Sequence, residues 1–94
     1  MFVLIECDTC KVGCDVADVY EFEDGTTEAT LEDYAKDVAY DNADLYGIFD
    51  EERESCEESG IEFDESECYS YEYTVLEGMT REQIIEQYGE IIQA

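Results

Sequence analysis

The chain has 94 residues, of which 28 are Asp or Glu and only 4 are Lys or Arg, so its formal net charge is −24. A charge of this size repels phosphate backbones and anionic membranes, which excludes direct nucleic-acid binding and favours a basic partner. Histidine is absent, and no group of the remaining residues has the pattern of a catalytic site, so we expect no enzyme.

Acidic chains are often disordered, but this one carries the side chains of a small core. Hydrophobic residues make up 45 % of it and aromatic residues 13 %. The first residues, MFVLIECD, lack a basic leader and are too short an apolar run for a signal peptide or a membrane span. The odd number of cysteines fits reduced thiols. We therefore expect a folded, cytoplasmic protein.

Two strands are predicted at the start of the chain. Residues Phe2–Cys7 are apolar on both faces up to Ile5, as in a central strand. The segment Asp8–Asp15 contains Gly13 and turn-forming Asp residues, which indicates a loop or hairpin. Residues Val16–Glu23 are the second strand, and either of its faces could meet the core. One face carries Ala17, Val19 and Glu21, and the other carries Asp18, Tyr20 and Phe22.

The stretch Thr27–Gly47 has the clearest helical pattern. Its N-cap is Thr27 or Thr30, and Gly47 is placed to end it. An apolar stripe with three- and four-residue spacing predicts the side that packs on the core. This stripe consists of Leu31, Tyr34, Ala35, Val38, Asn42 and Leu45, flanked by Ala39 and Tyr46. A second row at the same spacing, offset around the helix, consists of Asp33, Asp37, Asp41 and Asp44.

The segment Asp50–Glu67 is the most acidic part of the chain, with ten acidic residues and one Arg. Residues Glu51–Ser59 predict a marginal helix ended by Gly60, or an ordered loop, because like charges three and four residues apart destabilise a helix. Ile61 and Phe63 are the only large hydrophobic residues that follow, and we expect them to attach the segment to the domain.

A strand and a helix are predicted at the end of the chain. Residues Tyr69–Leu76 alternate strictly, with three tyrosines and Val75 on one face. Thr80 and Gln83 have the spacing of a capping box, which indicates a helix start, and Gly89 is a weak point within that helix. Its predicted buried stripe consists of Ile84, Ile85, Tyr88, Ile91 and Ile92.

These elements predict one α+β domain over residues 1–94, with residues 50–67 as an acidic insert. Their order is strand, strand, helix, acidic insert, strand, helix. We expect the two helices to pack on a small antiparallel sheet of three strands, or of four.

The five cysteines raise the hypothesis of a structural zinc site. Cys7, Cys10 and Cys14 have the spacing Cys-x2-Cys-x3-Cys, and Cys56 or Cys68 could complete four thiolate ligands. The alternative is that these residues are reduced thiols acting as small buried side chains. No stretch has the ligand spacing of a calcium-binding loop, and no cofactor is expected.

In composition, size and absence of catalytic motifs, the whole chain resembles the small acidic DNA-mimic inhibitors of phages and mobile elements, the anti-CRISPR and anti-restriction proteins among them. The resemblance implies a basic nucleic-acid-binding target, such as a CRISPR effector or a restriction enzyme. It also implies action in the host cell cytoplasm if a phage encodes the protein.

A mimic has to hold its carboxylates on rigid elements, at distances that imitate a phosphate track. The candidate partner-binding residues are Asp33, Asp37, Asp41, Asp44, Asp50, Glu51, Glu52, Glu54, Glu57, Glu58, Glu62, Asp64, Glu65 and Glu67. The first alternative is that these carboxylates only keep the protein soluble. The second is a non-enzymatic structural or regulatory interaction module, with or without a zinc staple, that binds through the exposed face of the strand at residues 69–75.

Overall fold

A computed structural model describes all 94 residues, and one mixed sheet forms the centre of the molecule. Its strands, in chain order, are β1 (Phe2–Thr9), β2 (Val16–Glu21), β3 (Tyr69–Val75) and β4 (Ile91–Gln93). The helices are α1 (Glu28–Leu45), α2 (Ile48–Ser59) and α3 (Arg81–Tyr88), and a single 3-10 turn spans Glu65–Glu67. The strands lie side by side in the order β3, β1, β2, β4. The predicted α+β class, a small sheet packed against helices, is confirmed, but the sheet is mixed and not antiparallel as predicted, and there are three helices instead of two.

Strand β1 lies in the middle of the sheet because its alternate residues are apolar. Val3, Ile5 and Cys7 are at most 3 % exposed and form the core beneath α1. The antiparallel register with β3 places Tyr73 beside Ile5 and Tyr71 beside Cys7, so the β3 tyrosines lie on this same face. β1 continues through Thr9, two residues into the predicted loop.

Helix α1 begins at the first of its two predicted caps, since the Thr27 hydroxyl accepts a hydrogen bond from the Thr30 amide. Its buried line is narrower than the predicted stripe. Because a four-residue step turns the helix about 40° beyond a full turn, the line drifts around the axis. Leu45 thus lies 82 % exposed and Tyr46 50 % exposed, and their predicted burial was wrong. The buried residues are Leu31, Ala35, Ala39 and Ala43, while Tyr34, Val38 and Asn42 are half-buried.

The first part of the acidic segment is a regular helix, α2, which begins three residues before the predicted start. Ile48 and Phe49 are 1 % and 5 % exposed and anchor its first turn, which outweighs the repulsion between its carboxylates. Gly60 ends it in the left-handed conformation, at φ 70°. Phe63 is half-buried, with its ring 5.0 Å from the Arg53 guanidinium. Ile61 is 64 % exposed, so the prediction that it attaches the segment to the domain was wrong.

The C-terminal helix is shorter than predicted. The capping box of Thr80 and Gln83 is formed, but α3 stops at Tyr88, because Gly89 adopts φ 94° and turns the chain. Ile91 and Ile92, assigned to this helix from the sequence, form β4, which pairs in parallel with β2. The fourth strand of the sheet is therefore formed by residues that the sequence pattern assigned to the C-terminal helix. In that helix only Ile84 is fully buried, whereas Ile85 and Tyr88 are 44 % and 37 % exposed.

Both faces of β2 meet the core, which resolves the ambiguity in its sequence. Tyr20 lies on the α1 side and packs edge-on against Tyr34 at 5.3 Å. Val19, its neighbour, points to the opposite face, where α3 contacts β2 and Ile84 is fully buried. Arg81 holds α3 to this face through an ion pair with Glu21 at 2.6 Å. No helix has the length and apolar run that crossing a bilayer requires.

Because the Cys7 thiol is buried, we expect the free energy of unfolding to fall at alkaline pH. Burial, with Asp18 nearby, raises its pKa from 9.0 to about 11. Since the unfolded chain then releases this proton first, the free energy of unfolding should fall as pH rises from 9.0 to about 11. Urea titrations across this range test the expectation. The Cys7→Ala variant, which has no thiol there, should show a shallower decline, and an equally steep one would contradict it.

Candidate partner-binding surface

The predicted row on α1, which we call the aspartate row, consists of Asp33, Asp37, Asp41 and Asp44. All four are exposed, and none of their carboxylates takes part in an ion pair or a side-chain hydrogen bond. Because buried residues on the other side of α1 fix the helix to the sheet, the row is rigid. Its members follow one another about 4.5 to 6 Å apart along the helix axis, compared with about 3.4 Å between successive phosphates of one DNA strand along the duplex axis.

The ten acidic residues of the 50–67 segment are not equivalent. Asp50 pairs with Arg53 at 3.3 Å, and Glu51 pairs with Lys11 from the β1–β2 loop. Glu52 is half-buried beside Cys10, where it helps to raise the pKa of that thiol, although burial is the larger cause. These three predicted residues therefore have partners within the chain, although Asp50 and Glu51 stay exposed.

The other seven predicted residues of this segment are all exposed. The Asp64 carboxylate accepts hydrogen bonds from the Ser66 amide and hydroxyl, so it caps the 3-10 turn. The rest are free of ion pairs, and they are Glu54, Glu57, Glu58, Glu62, Glu65 and Glu67.

The aspartate row and the 50–67 segment meet at Tyr40 of α1. Its ring packs against Phe49 at 4.6 Å and Tyr69 at 5.9 Å, which holds α2 and β3 beside α1. The pKa of the Tyr40 hydroxyl is raised chiefly by the charge of Glu65, and also by burial and by Asp44. A member of the row and a member of the 3-10 turn thus both lie near enough to this hydroxyl to raise its pKa.

Few cations neutralise this surface. Of the four basic side chains, Lys11, Arg53 and Arg81 each pair with a carboxylate. Only Lys36, exposed on α1, has no such partner. The surface therefore keeps a strongly negative field, which attracts a basic partner from a distance.

A third acidic region, not predicted from the sequence, lies on the sheet face that α3 leaves open. Glu6 of β1 and Glu72 of β3 are directly opposite each other and both exposed. Asp8 and Asp15 line the same shallow depression. Like charges directly opposite destabilise a sheet. The alternation within each strand shows these acids on a polar face, but only the register between β1 and β3 reveals that they are neighbours.

The structure does not bring the five predicted zinc ligands together as one site, although Cys10 and Cys56 lie near enough to Cys68 to help raise the pKa of its thiol. Cys7 lies in the core beneath α1, whereas Cys14 and Cys68 belong to a second cluster near α2. No group of three or more Cys, Asp or Glu residues could hold a metal ion. Burial raises the pKa of the Cys68 thiol to about 11, so it is protonated at neutral pH. Cys7 and Cys68 are buried and act as small apolar side chains, whereas Cys10 is exposed and Cys14 and Cys56 are partly buried.

The tyrosine face of β3 is also not a free binding surface. Tyr69, Tyr71 and Tyr73 are half-buried and pack against the core beneath α1. The other face of this strand carries Ser70, Glu72 and Thr74, which are exposed.

A comparison of the chain with protein-family profiles, curated proteins and solved structures found no match.

Proposed function

We propose that this protein is an acidic nucleic-acid mimic that inhibits a nucleic-acid-binding protein by occupying its basic groove. The target is a defence or nucleic-acid-processing protein, as for anti-CRISPR or anti-restriction inhibitors. The aspartate row carries the proposal, because it offers four exposed and unpaired carboxylates on a helix that is fixed to the sheet. The acids around the 3-10 turn extend this surface beyond Tyr40.

The mechanism needs neither a cofactor nor turnover. Carboxylates that are already held on α1 lose little conformational freedom when they bind, so more of the interaction energy becomes affinity. The negative field steers the basic groove towards the surface and speeds association. Bound nucleic acid and this protein then compete for the same lysines and arginines, which is the inhibition.

A competition experiment tests the proposal. The protein, immobilised at the C-terminus, is incubated with bacterial lysate, and the captured proteins are challenged with duplex DNA, with structured RNA and with rising salt. We expect a captured basic protein to be released by its nucleic acid and by moderate salt, because both weaken contacts to phosphate-like charges. A partner that binds nucleic acid and this protein at the same time would overturn the mimic mechanism.

A structural or regulatory interaction module is the second candidate, and exposed apolar residues favour it. Val12 in the β1–β2 loop is fully exposed, and Leu45 and Tyr46 are 82 % and 50 % exposed at the end of α1. The loop is tied to this end of the helix by the Asn42 side chain, which donates to the Cys14 carbonyl at 2.9 Å. Association through these residues would be insensitive to salt, so the salt titration separates the two candidates.

A further inference from the structure

The outer edge of β3 is an unpaired strand edge. β3 lies at one end of the sheet and pairs only with β1. The Cys10 amide donates to the Cys68 carbonyl at 3.0 Å, and the Leu76 amide donates to the Phe2 carbonyl at 2.9 Å. These two bonds identify which residue pairs of the antiparallel ladder are hydrogen-bonded. The backbone N–H and C=O groups of alternate residues from 68 to 76 therefore point towards β1. The backbone groups of the intervening residues point outward from the free edge, away from β1. These residues are Tyr69, Tyr71, Tyr73 and Val75.

Neither a proline nor a bulge blocks this edge. The register runs without a bulge from the pair Val3 and Val75 to the pair Thr9 and Tyr69, and the chain has no proline. Proteins usually protect an edge of this length with proline, lysine, a bulge or a covering segment. The opposite edge of the sheet, β4, has only three residues. The seven residues of β3 are therefore the place where a further strand can add.

The charges beside this edge select the kind of strand. A shallow groove along it is lined by Glu32 of α1 and by Tyr71, Glu72, Tyr73 and Thr74 of β3. A second copy of this chain would bring a further net charge of −24 to the contact, which disfavours self-pairing. Lysine or arginine side chains on an added strand would instead face Glu32 on one side of the sheet and Glu72 on the other.

We propose that β3 binds an extended, basic segment of the partner as a fifth strand of the sheet. The basic character of that segment rests on the proposed function. The backbone groups of β3 supply hydrogen bonds along the segment, and the glutamates select for its charge, as in other cases of strand addition. This contact holds the partner at a fixed orientation, next to the aspartate row on α1.

Semisynthesis provides a direct test, because Cys68 precedes β3 and serves as the ligation site. A synthetic peptide covering residues 68–94, ligated to residues 1–67, allows the Tyr73 amide to be N-methylated. This change removes an outward donor and keeps the side chain. The matched control is N-methylation at Glu77, a turn residue whose amide donates no backbone hydrogen bond. The probe is a fluorescent peptide of about eight alternating lysines and valines, a typical strand length.

Fluorescence anisotropy at constant ionic strength should show that N-methyl-Tyr73 weakens peptide binding at least about tenfold, while N-methyl-Glu77 leaves it unchanged. A peptide of alternating glutamates and valines should not bind. Equal binding by all three proteins would mean that charge alone holds the peptide, and this would overturn the proposal. Absence of binding to the lysine–valine peptide, or equal binding of the glutamate peptide, would overturn it as well.

Circular dichroism melting verifies that the modified proteins fold. Because the Tyr73 amide faces away from β1, we expect its methylation to leave the melting temperature unchanged. If the melting temperature falls, N-methylation at Tyr71 repeats the test two residues away.

The release of captured proteins by nucleic acid is scored separately. Its failure would remove the mimic function, whereas the N-methyl series decides only whether strand addition occurs.

Discussion

Reversal of the aspartate row should abolish inhibition and leave the fold intact. The variant carries Lys in place of Asp33, Asp37, Asp41 and Asp44, which changes the net charge from −24 by four steps of +2 to −16. Since all four residues are exposed and unpaired, no buried contact is lost. Each lysine replaces an attraction to the basic groove by a repulsion, so we expect affinity to fall about 100-fold or more.

The control for this variant changes the charge by the same amount elsewhere. Glu77, Glu82, Glu86 and Glu90 are exposed residues on and around α3, and their reversal to Lys also gives −16. We expect this control to keep most of its affinity for the partner, measured by surface plasmon resonance at one salt concentration. If the two variants lose affinity equally, net charge alone drives binding, and the position of the row has no role.

Local sequence patterns were sufficient to predict the parts of the fold that depend on neighbouring residues. The cap at Thr27 and the capping box at Thr80 were predicted because each needs only residues three positions apart. The exposure of the aspartate row follows from a helical period alone. These features supply the most rigid part of the candidate surface.

Features that depend on distant residues were not predictable in this way. Ile91 and Ile92 continue the period of the helix before them, and only the parallel pairing with β2 makes them a strand. Leu45 has the spacing of a buried residue, but the drift of the buried line to Ala43 leaves it in solvent. In both cases the tertiary packing decides between two local choices that the sequence pattern leaves close in energy.

The candidate surface shows the same division. Exposure of acidic residues was predicted from composition, but their partners were not. The pairing of Glu51 with Lys11 joins α2 to a loop 40 positions earlier in the chain. The approach of Glu65 and Asp44 to the Tyr40 hydroxyl depends on how α2 and the 3-10 turn fold back on α1. Charge counts in a sequence thus overestimate the number of free carboxylates, and tertiary contacts decide which remain free.

Two substitutions that each truncate an aliphatic side chain to alanine should have very different effects on stability. Ile5 is 1 % exposed at the centre of the sheet, and Ile5→Ala should lower the free energy of unfolding by about 2 to 5 kcal/mol. Leu45 is 82 % exposed, and Leu45→Ala should change it by no more than about 0.5 kcal/mol. Urea unfolding followed by circular dichroism measures both. A large loss in Leu45→Ala would restore the buried stripe predicted from the sequence.

The Ile5→Ala protein should also reveal how much the charge opposes folding. Proteins have about 5 to 15 kcal/mol of stability, so this loss is a large fraction of the total and makes the variant more sensitive to repulsion between its charges. Added salt screens the repulsion among the 28 acidic residues and should raise the melting temperature of the wild type and the variant alike. Sodium chloride serves as the screening salt, because sulfate would also strengthen the hydrophobic effect. A melting temperature that does not respond to sodium chloride would mean that the free carboxylates lie far enough apart to cost little, and that the fold tolerates its acidic surface without strain.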